Sequence, residues 1–188
     1  MKIAQPGRGH FRISSDYLIL LTELAFERGI SAKTLLQGSE LQESLLLQPG
    51  VLVGHESGIQ VVENFCQQVQ DPSAALEYGK RMTLSKHGAL GYAAHYSATM
   101  TDAAIKVMRY VETRAQIFTL QRYSDADVRK LYIEPRFDSP KAAAFLVSAF
   151  LASIETICRT LIQGPEHNAH SRIELSFGID LSTQSVLP

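Results

Sequence analysis

Residues 86–110, KHGALGYAAHYSATMTDAAIKVMRY, hold an unusual share of side chains able to do chemistry. His87, His95, Tyr92, Tyr96 and Met100 lie within fourteen positions of one another, around Gly88 and Gly91. A histidine can carry a proton or bind a metal, but a metal site needs a third donor at a suitable spacing, and the stretch supplies none. His167 and His170, three apart, fall among polar residues and read as a solvated loop. The two glycines do not form a phosphate cradle. A dinucleotide fingerprint needs a preceding strand and a third glycine, a P-loop needs its lysine, and here a helical pattern precedes the pair. Their reading is conformational: Gly88 ends the helix that begins at Ser73, and Gly91 lets the next element approach closely. No Gly-x-Ser-x-Gly is present, and neither Cys66 nor Cys158 has a histidine suggestively placed in sequence. The chain reads as a non-enzyme, without metal or cofactor; haem ligation by a histidine is the weakest of the sensing readings.

Tyr92, Tyr96 and Met100 around a glycine-shaped turn can line a small-molecule pocket. Packing alone explains most large apolar residues equally well. With His87, these three are the candidate ligand-binding residues; Gly88 and Gly91 are the candidate structural turn.

The elements that must position them are mostly helical. Ser14 or Ser15 caps a first helix whose apolar face is Tyr17, Leu20, Leu21, Leu24 and Ala25, and Gly29 stops it. Ser31 caps a short helix over 32–37, a third piece runs to Leu47, and Pro49-Gly50 closes the block. Ser57 opens a helix carrying Val61, Val62, Phe65, Cys66 and Val69 at helical spacing. Asp71-Pro72 breaks it, and Ser73 caps the next, with Leu76, Tyr78, Gly79 and Met82 on its face. After the loop at the glycines, Thr101 and Asp102 open a helix through Ala104, Ile105, Val107, Met108 and Val111. The pattern then changes. Residues 116–123 and 128–134 form a hairpin about a turn at 124–127. Asp138-Ser139-Pro140 starts a helix that is apolar nearly all round through Ile162, and residues 173–179 alternate as a half-exposed strand. The expected fold class is α+β: a mostly helical N-terminal two-thirds, then a small, mainly antiparallel sheet packed on a long apolar helix. The expected organisation is an N-terminal arm over 1–13, one domain over 14–180 and a loose tail over 181–188.

Bulk properties exclude some functions. The chain has 188 residues, 45% apolar and 20% charged, with a net charge of −1. That balance gives no whole-chain electrostatic case for nucleic acid. Residues 16–48 have the helix–turn–helix order, yet carry five acids and two bases, the wrong sign for a recognition element. The two unpaired cysteines, both inside apolar helical patterns, read as reduced thiols of a cytoplasmic protein. The first twelve residues lack the apolar core of a secretory signal. The apolar stretch over 142–154 is shorter than the about 20 residues a bilayer demands and reads as a core helix, so no membrane is expected.

Four pieces of the chain together resemble the N-terminal regulatory, arabinose-binding-like domain of AraC-type transcription regulators. They are FERGISAKTLLQGSEL with its glycine turn, VVENFCQQVQDP, ALEYGKRMTLSKHG and, most specific, HGALGYAAHYSATMTDAAIKVMRY. The last matches a family pattern of His-Gly-x-Leu-Gly-Tyr-Ala, then Ser, a short gap and an Ala-rich helix. The resemblance covers roughly residues 17–177. It implies a bacterial sensor domain that binds a small effector, mediates homodimerisation, or both. DNA would be read only through a separate C-terminal domain with paired helix–turn–helix units, which lies outside this chain. The alternative is a ligand-free interaction module that forms homo- or heterodimers with a full-length regulator. The resemblance brings over no effector and no ligand-contact residue.

Overall fold

The computed structural model describes residues 11–111, 114–124 and 129–162. Strand β1 (Arg12–Ser14) leads directly into α1 (Ser15–Glu27). Ser14 caps α1 by accepting the Asp16 amide proton, and Gly29 closes it at φ 74°, as its position in sequence requires. Ser31 caps α2 (Ala32–Leu35), which is shorter than expected. A 3-10 turn covers Glu43–Leu47, and β2 (Leu52–Gly54) follows. Helix α3 (His55–Gln68) starts two residues before Ser57. Helix α4 (Ser73–Arg81) is capped not by Ser73 but by Asp71, whose carboxylate accepts from the Ser73 amide at 2.8 Å and its hydroxyl at 2.7 Å.

Gly88 does not end α4. That helix stops at Arg81, and Gly88, at φ 59°, ends a separate 3-10 turn over Leu84–His87. The segment after it, expected as a loop, is α5 (Ala89–His95). Gly91 does serve close approach: a Cβ there would sit 1.7 Å from the Leu84 carbonyl oxygen. Thr99 caps α6 (Met100–Tyr110) by accepting the Asp102 amide proton at 3.1 Å. The hairpin is β3 (Phe118–Ser124) against β4 (Arg129–Pro135), antiparallel from Phe118↔Pro135 to Ser124↔Arg129. Helix α7 (Pro140–Ile162) then runs 23 residues.

The α+β class holds, with one change of plan. Sheet structure is not confined to the later part, because β1 and β2 pair antiparallel, Ile13 opposite Val53. The expected N-terminal arm thus ends in a strand. Its partners are distant in sequence: Ser14 N–H donates to the Arg114 carbonyl and Ser15 N–H to the Val51 carbonyl. The strand expected at 173–179, the tail and residues 1–10 lie outside the described residues.

Helix α7 starts at Pro140 and reaches Ile162 as the pattern predicts, and on the way Glu155 and Arg159 pair at one turn's spacing. By length and composition alone, residues Pro140–Thr160 could cross a bilayer. Here Ala142, Phe145, Leu146 and Ala149 are buried in the core. Gly79 makes the α4–α7 contact possible: a Cβ there would lie 2.1 Å from the Ala149 carbonyl oxygen. Phe65, Tyr78 and Phe145 pack beside it, with ring centroids 5.4 and 5.5 Å apart. Two residues assigned to apolar faces are exposed instead, Leu76 on α4 and Ile105 on α6.

Candidate ligand-sensing site

The first turn of α1 fixes two neighbours with different tasks. Asp16 is held by its surroundings: Ser14 Oγ donates to Oδ2 at 2.9 Å and the Gly50 amide donates to Oδ1 at 3.1 Å. Arg114 comes in from beyond α6 and ion-pairs with Oδ2. Burial pushes the Asp16 carboxyl up, but the hydrogen bonds from Arg114 and Ser14 outweigh it and hold the group below the usual carboxylate range. Arg114 also donates to the Lys86 carbonyl at 3.4 Å, tying the 3-10 turn to α1.

Tyr17 points the other way, into the interior. Its hydroxyl lies 3.1 Å from His87 Nδ1, and the two rings stand 5.8 Å apart at 59°. Burial raises the Tyr17 phenol, against the pull of the Arg114 guanidinium, which lies 5.9 Å from the ring centroid. Taking the phenol as the donor to His87 Nδ1 places the imidazole proton on Nε2. Burial pushes the His87 pKa down; the Met82 carbonyl works against that and the Arg114 charge reinforces it. The ring is therefore neutral, and its Nε2 is buried without a hydrogen bond of normal geometry. A buried polar atom left in that condition calls for an explanation.

His87 stands between two cavities. The larger, about 50 Å³, lies between α1, α4, β3 and α7, with Tyr17, Tyr78, Met82 and Phe118 in its wall. The smaller, about 20 Å³, lies between α5, α6 and α7, against Leu90, Gly91, Val107 and Ile157. Neither wall contains a charged side chain. Tyr78 contributes only its ring, because its hydroxyl already donates to the Tyr17 carbonyl at 2.7 Å.

Of the residues picked from sequence, His87 is in this site and the tyrosines are not. Tyr92 on α5 and Tyr96 just after it are 60% and 81% exposed and line neither cavity. Met100 opens α6, but its side chain lies outside the described residues. Gly88 and Gly91 shape the turn that presents His87. His95 is exposed beside Tyr96, and His167 and His170 lie outside the described residues. No cluster of three metal-ligating side chains occurs among the described residues. Both cysteines are free, and burial pushes the Cys66 thiol up to about 11, an inert thiol rather than a nucleophile. Sequence reasoning missed Tyr17, Asp16 and Arg114 as site residues. Tyr17 was read simply as part of an apolar face, and nothing local links it to a histidine 70 positions away.

Residues 29–178 match the arabinose-binding domain of AraC transcription regulators, N-terminal. The chain belongs to that family, a domain of transcription regulators rather than an enzyme class. Among similar proteins is the ornithine utilization regulator of Pseudomonas aeruginosa, 23% identical over 149 residues, covering 79% of this chain and 44% of that protein. Uncharacterized HTH-type transcriptional regulators of Mycobacterium bovis and Mycobacterium tuberculosis are each 27% identical over 187 residues, covering 82% of this chain and 54% of theirs. The chain thus spans about half the length of these relatives.

Proposed function

We propose that residues 14–180 form one effector-sensing domain of a cytoplasmic, bacterial AraC-type regulator, and that the effector occupies the cavity capped by His87. The observation that carries this is His87 Nε2, buried in the cavity wall without a hydrogen bond of normal geometry. DNA binding would fall to a separate C-terminal region, for which the longer relatives have room. The effector acts by binding one conformer better than another, a shift that the DNA-reading region then senses. The structure suits a closed state: one water needs about 10–15 Å³, so the larger cavity, about 50 Å³, must expand to take a metabolite.

The family description mentions arabinose, and the Pseudomonas relative's name mentions ornithine. Both compounds are densely polar. A pentose needs partners for several hydroxyls, and a buried ammonium needs a carboxylate. These walls offer one imidazole and one already bonded phenol. The lining favours a less polar effector.

The reading is tested by a thermal-shift screen over sugars, amino acids, aromatic compounds and neutral lipophiles. A true effector at about a hundred times its Kd stabilises the fold by about 2.7 kcal/mol, a Tm rise of about 5–10 °C for a domain of this size. A panel in which no class raises the Tm would rule the sensor out. A second reading, homodimerisation, draws on Tyr92, Tyr96 and Ile105, which are exposed on the packed pair α5 and α6. Light scattering of wild type and Tyr96→Glu tests it: a dimer that the substitution disperses supports it, and a wild-type monomer at 100-fold dilution ranges removes it.

A further inference from the structure

His87, Val111 and Phe150 are walls of both cavities. Each comes from a different piece of chain: the 3-10 turn, the residue after α6, and α7. The cavities are therefore not two unrelated packing faults. They lie on opposite sides of one three-residue partition. We propose that they are the two ends of a single elongated chamber, and that its ligand is a neutral, mainly apolar, chain-like molecule with one hydrogen-bond acceptor near its middle. This inference rests on the sensing role proposed above and names the ligand class of that same site.

The chemistry follows from what lines the space. Among the described residues, no Asp, Glu, Lys or Arg side chain lines either cavity. An ammonium ligand would be buried without a counter-charge, and so would a carboxylate, since neither lining supplies a charged side chain. Ser153, the one hydroxyl of the smaller cavity, already donates to the Phe150 carbonyl at 2.7 Å. Among the described residues that line the two cavities, His87 Nε2 is the nitrogen left without a partner, since the other two buried unpartnered nitrogens, Arg114 Nε and Arg136 Nε, belong to neither wall; it sits at the partition, not at an end. A ligand acceptor placed there puts apolar length on both sides. Phe150 meets Phe118 at 5.6 Å in a tilted pair, and joining the two spaces requires its ring to rotate out of the partition.

The test measures dissociation constants for four defined probes: 2-butanone, 5-nonanone, nonanoate and nonylamine. The expected order has 5-nonanone at least tenfold tighter than 2-butanone, because five further carbons are buried, and tighter than either charged probe. His87→Phe is expected to weaken 5-nonanone roughly fivefold, the loss of one hydrogen bond, and His87→Gln, which keeps an N–H, to retain most of the affinity. Val111→Ala lowers the partition without touching the donor and is expected to tighten 5-nonanone about threefold while leaving 2-butanone unchanged. It carries the test if His87→Phe does not fold. Equal binding of short and long ketones overturns the joined chamber. Tighter binding of nonanoate or nonylamine overturns the neutral class, and an unchanged affinity in a folded His87→Phe overturns the donor. If sugars or amino acids raise the Tm and the ketones do not, this inference fails alone; if nothing in the wider panel binds, the sensing role fails with it.

Discussion

One face of α7 brings Ala149 and Ala152 against Gly79 of α4 so closely that a methyl group on the glycine would overlap the Ala149 carbonyl. Another face, through Leu146, Phe150, Ile154 and Ile157, borders the two cavities with space left over. The same contrast separates two buried tyrosines. Tyr78 donates to a backbone carbonyl and needs nothing more. Tyr17 bonds to an imidazole that still has an unsatisfied nitrogen. One helix thus joins a filled core to an unfilled one. A filled core has nothing to gain from a ligand. The unfilled one keeps a donor and free volume in reserve, which is what a binding equilibrium needs.

Substitutions that remove or add volume break this comparison most directly. Phe145→Ala, in the filled core, should cost about 3–5 kcal/mol in denaturant unfolding, the range for a large buried ring. Gly79→Ala and Gly91→Ala should each cost about 1–3 kcal/mol, because each forces one piece of backbone off another. Val107→Ile, in the wall of the smaller cavity, should gain about 0.5–1 kcal/mol by filling space. A loss there as large as at Gly79 would show the two faces to be equally full.

The pH dependence sharpens the contrast at a smaller scale. His87 has a folded pKa below its ordinary 6.5, so between the two values the unfolded chain binds the extra proton. Stability therefore falls as the pH drops through about 6.5 and levels off below the folded pKa. Asp16 has the same sign in a separate, lower window: its contribution is present above its ordinary 3.8 and is lost as the pH falls through its lower folded value. His87→Gln should flatten the first slope and spare the second, as read from Tm between pH 8 and 3. An unchanged first slope would show that another group causes it.

Helices announce themselves locally, and the sequence was a good guide to them. Ser14, Gly29 and Ser31 act where capping chemistry places them, and Val61, Val62, Phe65 and Cys66 are buried at helical spacing. The hairpin and the long helix follow from β-branched runs and from Pro140. The first sheet was not legible, because its three-residue strands depend on pairing across about forty positions. The site was legible only in part. The glycine-framed stretch drew notice to His87, but exposure of Tyr92 and Tyr96 is decided by which face of α5 meets α7 and α6, and a seven-residue helix has too little pattern to show it. Arg114 becomes a site residue only because α6 returns the chain to Asp16, 98 positions earlier.

The most direct test of the central claim is a crystal structure of the domain with the strongest thermal-shift hit. The account predicts the ligand between α7 and the α1–α4 and α5–α6 walls, with an acceptor atom within hydrogen-bond distance of His87 Nε2 and the ring of Phe150 displaced. A ligand bound instead on the exposed Tyr92–Tyr96 face, with His87 Nε2 still unbonded, would contradict it.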